Sequence, residues 1–438
     1  MKLRAVVSVY CLLFFSSASP ALAITLKECV ARSLENSQLV QAYENQIKFS
    51  IYNYKKQKTE LLPQSTVNTG VEHVWYGAKS DLDPDTGYQG KVGIDMSMDL
   101  QKLLAWYPQL SQLEIEKSEL LKTITKNLVR KETTQEYYKL YVLLKKKQDY
   151  TDVNSFFDEH IKDVEKILSK GVDVKLDLAR AKVQQNSVRI SASNVNAEIR
   201  NVLLSLNSKM LTQFKDSDFV SMKEPDLSDA GTTQTIFDES APESDAENSY
   251  IERVEANYAK KIPDLYQSRL DAYEVKIAEE TYRQSRLYYI PSLQFGAEHN
   301  YHTNDPNVEA YRVSLALTFN IFDFPQKEFE KRRAEYNYAY QKHVFKENQG
   351  KLKLQIDQLI TDIENAQTTY KNAAANLEGI KEIIQSANSY YEQGKIKETD
   401  LINVSSEYLV AKEQYYEALT GYLSKKAELD FMLEGIKI

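Results

Sequence analysis

VGIDMSMDL (Val92 to Leu100) and YRVSLALTFNI (Tyr311 to Ile321) each alternate apolar and polar residues one by one. In the first, Val92, Ile94, Met96, Met98 and Leu100 share one side, against Gly93, Asp95, Ser97 and Asp99. In the second, Tyr311, Val313, Leu315, Leu317, Phe319 and Ile321 stand against Arg312, Ser314, Ala316, Thr318 and Asn320. A period of two is the mark of a strand with one apolar and one polar face. A weaker alternation precedes each: Val67, Thr69, Val71, His73, Trp75, and Leu293, Phe295, Ala297, His299, Tyr301. The connecting residues are turn-like, with Asp83-Pro84-Asp85-Thr86-Gly87 in one and Asn304-Asp305-Pro306 in the other. Two β-hairpins are therefore predicted, at about 63–100 and 291–322. Four strands are too few for a sandwich of this chain length. A closed barrel needs about eight, so closure would take several chains.

The two hairpins are parts of a larger duplication. Leu62-Pro63 is echoed by Ile290-Pro291, and Gly70-Val71-Glu72-His73 by Gly296-Ala297-Glu298-His299. Gly171, five residues and Asp177-Leu178 are echoed by Gly394, five residues and Asp400-Leu401. With Val92 and Val313, the offsets (290 − 62, 296 − 70, 313 − 92, 394 − 171) are 228, 226, 221 and 223 residues. A near-constant offset across separate landmarks marks an internal repeat. The halves run over 24–212 and 250–438, joined by 213–249, and each reads helix, two strands, very long helix, turn, second long helix.

The long helices show a heptad seam. From Leu352, apolar residues recur at Ile356, Leu359, Ile363, Ala366, Tyr370, Ala373, Leu377, Ile380, Ile384, Ala387 and Tyr391, in steps of four and three. Leu401, Val404, Tyr408, Ala411, Tyr415, Ala418 and Tyr422 continue it. The first half answers with Tyr150, Val153, Phe157, His160, Val164 and Ile167, then Leu178, Ala181, Gln185, Val188, Ala192, Val195, Ile199 and Val202. A helix from about Gln326 to Tyr391 would be on the order of 100 Å long. Leu354, Ile360, Ile383, Leu409 and Leu419 widen the seam, so each helix can pack on two neighbours, as in a ring.

Composition excludes several classes. Residues 1–23 read as a secretory signal peptide: Lys2 and Arg4, an apolar run from Ala5 to Phe15, and Ala21-Leu22-Ala23 before Ile24. Cys29 is then the only cysteine of the mature chain, which excludes an internal disulfide. With five His in all, no metal-ligand spacing appears, and no cofactor is implied. Mean hydropathy is −0.51, and nothing after residue 23 could span a bilayer as a helix. Entry into a membrane would have to be as a β-barrel, because backbone groups in lipid need internal partners. The formal net charge of −8 argues against nucleic acid. It is concentrated in Lys215 to Tyr250, where two Lys face six Asp and four Glu. No nucleophile elbow, phosphate loop, zinc helix motif or dinucleotide fingerprint is present, so an enzyme is not expected.

Taken in order, the Pro-led strands at Pro63 and Pro291, the strand exit FNIFDFPQK (Phe319 to Lys327) and the duplicated segment at Gly171 and Gly394 resemble the TolC-type outer-membrane efflux protein family. The resemblance covers the mature chain. It implies an α+β membrane protein whose long antiparallel helical hairpins form a coiled-coil α-barrel. It also implies a homotrimer, with each chain giving two β-hairpins, four strands in all, to one shared trimeric β-barrel. The barrel would lie in the lipid of a Gram-negative outer membrane and the helices would cross the periplasm. The function implied is the exit duct of a tripartite efflux pump or a type I secretion system. A periplasmic adaptor protein and an inner-membrane pump would dock on it. A periplasmic coiled-coil scaffold without a pore is the competing reading, since heptads alone would serve that role.

The resemblance also assigns site residues. Asp400 matches a pore-facing aspartate of the periplasmic gate ring; the second acidic position of the pattern is Asn403 here. Asp177 and Tyr391 match the closed-state latch. Its basic partner falls at Ile396, flanked by Lys395 and Lys397. Gly171 and Gly394 mark the adaptor-facing tips. From the residues alone, Asp177 and Asp400 are also read as helix-start acids, favoured by the helix N-terminus.

Overall fold

The computed structural model describes residues 24–75, 86–98, 100–105, 108–170, 174–219, 261–287, 290, 292–302, 309–318 and 324–433. Residues 1–23, most of the acidic stretch 213–249, and Gly171 lie outside them. The elements in order are α1 (Leu26–Asn36), α2 (Gln38–Glu60), β1 (Gln64–Trp75), β2 (Thr86–Met98), α3 (Leu100–Ala105), α4 (Pro108–Ser169) and α5 (Lys175–Met210). After the acidic stretch come α6 (Tyr266–Ser285), β3 (Ser292–His302), β4 (Glu309–Thr318), α7 (Phe324–Glu392) and α8 (Glu398–Leu433). The order α2-β1-β2-α4-α5 recurs as α6-β3-β4-α7-α8. Helix α7, at 69 residues, covers the expected Gln326 to Tyr391. No described helix is long and apolar enough to cross a membrane. One boundary differs from the sequence reading. The alternating stretch was expected to run to Leu100, but β2 ends at Met98 and Leu100 opens α3. Gln101-Lys102-Leu103-Leu104-Ala105 are good helix formers that break the period of two.

The four strands form one antiparallel sheet in the order β1-β2-β3-β4. The halves meet in it, because β2 pairs with β3 from Gln89↔His302 to Met98↔Leu293. Residues directly opposite one another share a face. One face carries the rows Val67–Ile94–Ala297–Val313 and Ser65–Met96–Phe295–Leu315; the other carries Thr66–Asp95–Gly296–Ser314 and Gln64–Ser97–Gln294–Ala316. The first face is apolar and open: Val67, Ile94, Met96, Phe295, Val313, Leu315 and Leu317 are all exposed.

The chain divides into two compact units, each built from both halves. The unit that holds the sheet (37–132, 227–374, 421–438) has a helical core. Leu352, Ile356, Leu359, Ile360 and Ile363 of α7 pack with Tyr422, Leu429 and Leu433 of α8 and with Ile262 and Leu265. The other unit (1–36, 133–226, 375–420) buries Cys29, Leu140, Phe157, Val164, Ala181, Leu206 and Met210. Burial pushes the Cys29 thiol up to about 12. The first-half seam is buried at Tyr150, Phe157, His160, Val164, Ala181, Gln185, Val188, Val195, Ile199 and Val202. Its polar member Gln185 donates to Asp158 at 2.5 Å, so its burial leaves the amide bonded. The widened seam is split: Ile360, Leu409 and Leu419 are buried, whereas Leu354 and Ile383 are exposed. On α5, Leu176, Val183, Ile190 and Leu204 form a second apolar row at multiples of seven, also exposed.

Candidate functional site

The turn between α7 and α8 is built around Gly394. Its φ of 68° lies in the left-handed region that glycine enters without penalty. Gly394 N–H donates to the Tyr391 carbonyl and Lys395 N–H to the Tyr390 carbonyl, each at 2.8 Å. That pair of bonds is a Schellman motif closing α7. The accompanying contact is charged: Lys395 Nζ lies 5.6 Å from the centre of the Tyr390 ring.

Helix α8 then starts from Lys397. The Lys397 N–H donates to Asp400 Oδ2 at 3.2 Å, and the Lys397 carbonyl accepts from Asp400 N–H at 3.0 Å. Asp400 is thus one half of a capping box, with its carboxylate in the first turn of a helix. It is also exposed, as is Asn403. Leu401 and Ile402 between them are buried, which fixes the phase of the helix and holds both polar side chains at the surface.

Tyr391 lies edge-on to His160 of α4 with ring centroids 6.3 Å apart, and His160 stacks on Phe156. Asp177 lies in the first turn of α5. Among the described residues, no ion pair joins it to Lys395 or Lys397 within the chain. Around this turn is an open cleft of about 410 Å³, lined by Ile383, Ala387, Tyr390, Ile396, Asp400 and Val404. The structure therefore gathers Asp400, Tyr390, Tyr391, Lys395, Lys397 and Gly394 at one helical hairpin end.

A second cluster joins α4 to α8 and was not read from the sequence. Lys412 Nζ lies 2.5 Å from Asp149 Oδ1, and Tyr416 donates to Asp149 Oδ2 at 2.9 Å. The neighbouring Tyr150 donates to Glu413. Burial works against the Lys412 charge, but the Asp149 carboxylate outweighs it and raises the Lys412 pKa. Burial, and then Asp149, raises that of Tyr416; burial, and then Glu413, raises that of Tyr150. The partners stand more than 260 residues apart in sequence (412 − 149 = 263), and no local pattern announces them.

Residues 258–435 match the outer membrane efflux protein family. No curated protein matches the chain in sequence. Among solved structures, the CmeC outer membrane channel of Campylobacter jejuni aligns with a TM-score of 0.73 and 14% identity, covering 94% of this chain and 85% of that one. The outer membrane protein VceC from Vibrio cholerae gives 0.72 and 11%, covering 94% and 95%. The open state of the Neisseria gonorrhoeae MtrE outer membrane channel gives 0.66 and 13%, covering 95% and 93%. At these identities the likeness is one of fold, and it takes in both the sheet and the helices.

Proposed function

We propose, from the premise that the chain carries the outer membrane efflux protein fold and, over residues 258–435, that family's sequence, that three copies form a passive exit duct through an outer membrane. The observation that carries this reading is the sheet. Its four strands expose a continuous apolar face and turn a polar face the other way. Three copies pass the closure minimum of about eight strands. Closed so, the apolar face meets lipid and the polar face lines water. The exposed row on α5, with Leu354 and Ile383 on α7, offers the second packing surface that a ring of helices requires.

In this reading the hairpin end at Gly394 is the periplasmic gate. Asp400, repeated by three-fold symmetry, forms a carboxylate ring that favours cations. Asn403 leaves that ring single. Asp177 and Tyr391 hold the closed state by contacts of surface strength, about 0–1 kcal/mol each, weak enough for adaptor docking to release. The tips at Gly171 and Gly394 face the adaptor, which links the duct to an inner-membrane pump. The test is conductance of the purified protein in planar bilayers. Wild type is expected to show heat-modifiable trimers and small single-channel steps, and Asp177→Ala with Tyr391→Phe larger ones. Unchanged steps in the double variant would remove the latch assignment. Intact trimers that pass no current would favour the scaffold reading.

A further inference from the structure

We propose that Asp95 is a second determinant of ion selectivity, a carboxylate ring inside the β-barrel that acts independently of the gate ring at Asp400. The proposal rests on the trimeric-duct reading above. Asp95 occupies the polar face of β2, in the row Thr66–Asp95–Gly296–Ser314. Both of its oxygens are placed. Asn68 Nδ2 on β1 donates to Asp95 Oδ2 at 2.5 Å. Oδ1 leans over Gly296 on β3: a Cβ added there would lie 3.2 Å from that oxygen and 2.8 Å from Ser314 Oγ. The glycine therefore clears the space that the carboxylate occupies. Thr66 Oγ1, directly opposite on β1, donates to the Asp95 carbonyl at 3.4 Å.

The surrounding charges single this position out. The next row toward the helices, Gln64–Ser97–Gln294–Ala316, has no ionisable residue. The row on the other side places Glu298 opposite Arg312 in the backbone register. Among the described residues, Asp95 is the one ionisable position in the three polar-face rows nearest the helical end, Ser292–Thr318 included. In a twelve-stranded barrel, three such carboxylates stand at one height around a lumen of backbone radius about 12 Å. The Debye length is about 10 Å at 0.1 M salt and about 3 Å at 1 M. The ring's field fills the lumen in the first case and hugs the wall in the second.

The experiment is the reversal potential of the full-length protein in planar bilayers under a KCl gradient, at both salt levels. Asp95→Asn is expected to roughly halve the potassium-to-chloride permeability ratio near 0.1 M, since one of the two acidic rings assigned here is lost, and to change it little near 1 M. An unchanged low-salt ratio overturns the proposal. Should Asp95→Asn not assemble, Asp400→Asn decides the matter without touching the sheet. That variant is expected to keep part of the cation preference at low salt, and complete loss of the preference there overturns the proposal. Wild-type protein that passes no current overturns the duct itself, an outcome distinct from a conducting channel with unaltered selectivity.

Discussion

Within one compact unit, two apolar stripes meet opposite fates. On α7, Ile356 and Ile363 are 0% and 2% exposed, packed against α8. On β4, Val313 and Leu315 are both 72% exposed. The residue types are alike; the surroundings for which they are selected are not. A soluble protein rarely leaves a contiguous apolar face of this extent open. The helical stripe is a core in the ordinary sense, and in the proposed barrel the strand stripe is the surface that meets lipid.

That difference can be broken by truncation. Ile356→Ala should destabilise the helical unit by about 2–5 kcal/mol, transfer and cavity terms together. A denaturant or thermal melt in detergent would report it. Leu315→Ala removes a comparable side chain where no protein packs, and should shift the same melt by no more than about 0.5 kcal/mol. Leu315→Arg separates the environments further. In detergent it should be tolerated, and in a bilayer it should cost about 2–4 kcal/mol at mid-depth, read as reduced insertion. Equal melts for the two alanine variants would mean that the strand face is packed by protein after all.

How much of this was legible in the sequence follows from the same contrast. Periodicity reports on one element at a time. It therefore gave the four strands, the whole span of α7, and buried seam positions as unlikely-looking as His160 and Gln185. It also placed Asp400 and Asp177 in the first turns of helices. Pairings over long sequence distances carried no such signal. The meeting of β2 with β3, the contact of His160 with Tyr391, and the cluster around Asp149 depend on how distant helices and strands are brought together. Local breaks in pattern were lost too, as at Leu100, where a good helix former ends a strand without a glycine or proline to mark it.

The Asp149 cluster sharpens the comparison from the polar side. Lys412→Met leaves a half-buried carboxylate with Tyr416 as its one partner among the described residues and should cost about 1–3 kcal/mol. Tyr416→Phe should cost about 1 kcal/mol, and the double variant less than the sum, as expected of shared partners. The pH dependence has a definite direction. Lys412, Tyr416 and Tyr150 all have raised pKa values in the fold. The native state thus holds their protons more tightly than the unfolded chain. Their contribution is complete below the unfolded values of about 10 and declines as pH rises through the folded ones. Stability should fall above roughly pH 10, and less steeply in Tyr416→Phe than in wild type. A steeper alkaline fall in the variant would contradict the assigned contacts.

A last pair compares two glycines of one helical stretch. Gly379, inside α7, and Gly394, just past its end, both have open space where a Cβ would go. Sterics with neighbours therefore cannot distinguish them, and the backbone alone decides. At Gly379 alanine removes freedom from the unfolded chain and suits the helix, so Gly379→Ala should stabilise by about 0.5–1 kcal/mol. At Gly394 the φ of 68° puts alanine in the left-handed region, at a cost of about 1–2 kcal/mol. The chain there can relieve the strain by unwinding the Schellman turn, which would release Lys395 from Tyr390 and move Lys397 and Asp400 with it. Gly394→Ala should therefore lower the melting temperature slightly and also change channel conductance, whereas Gly379→Ala raises the first and leaves the second alone. A Gly394→Ala channel with wild-type conductance would show that the turn can be strained without moving Asp400.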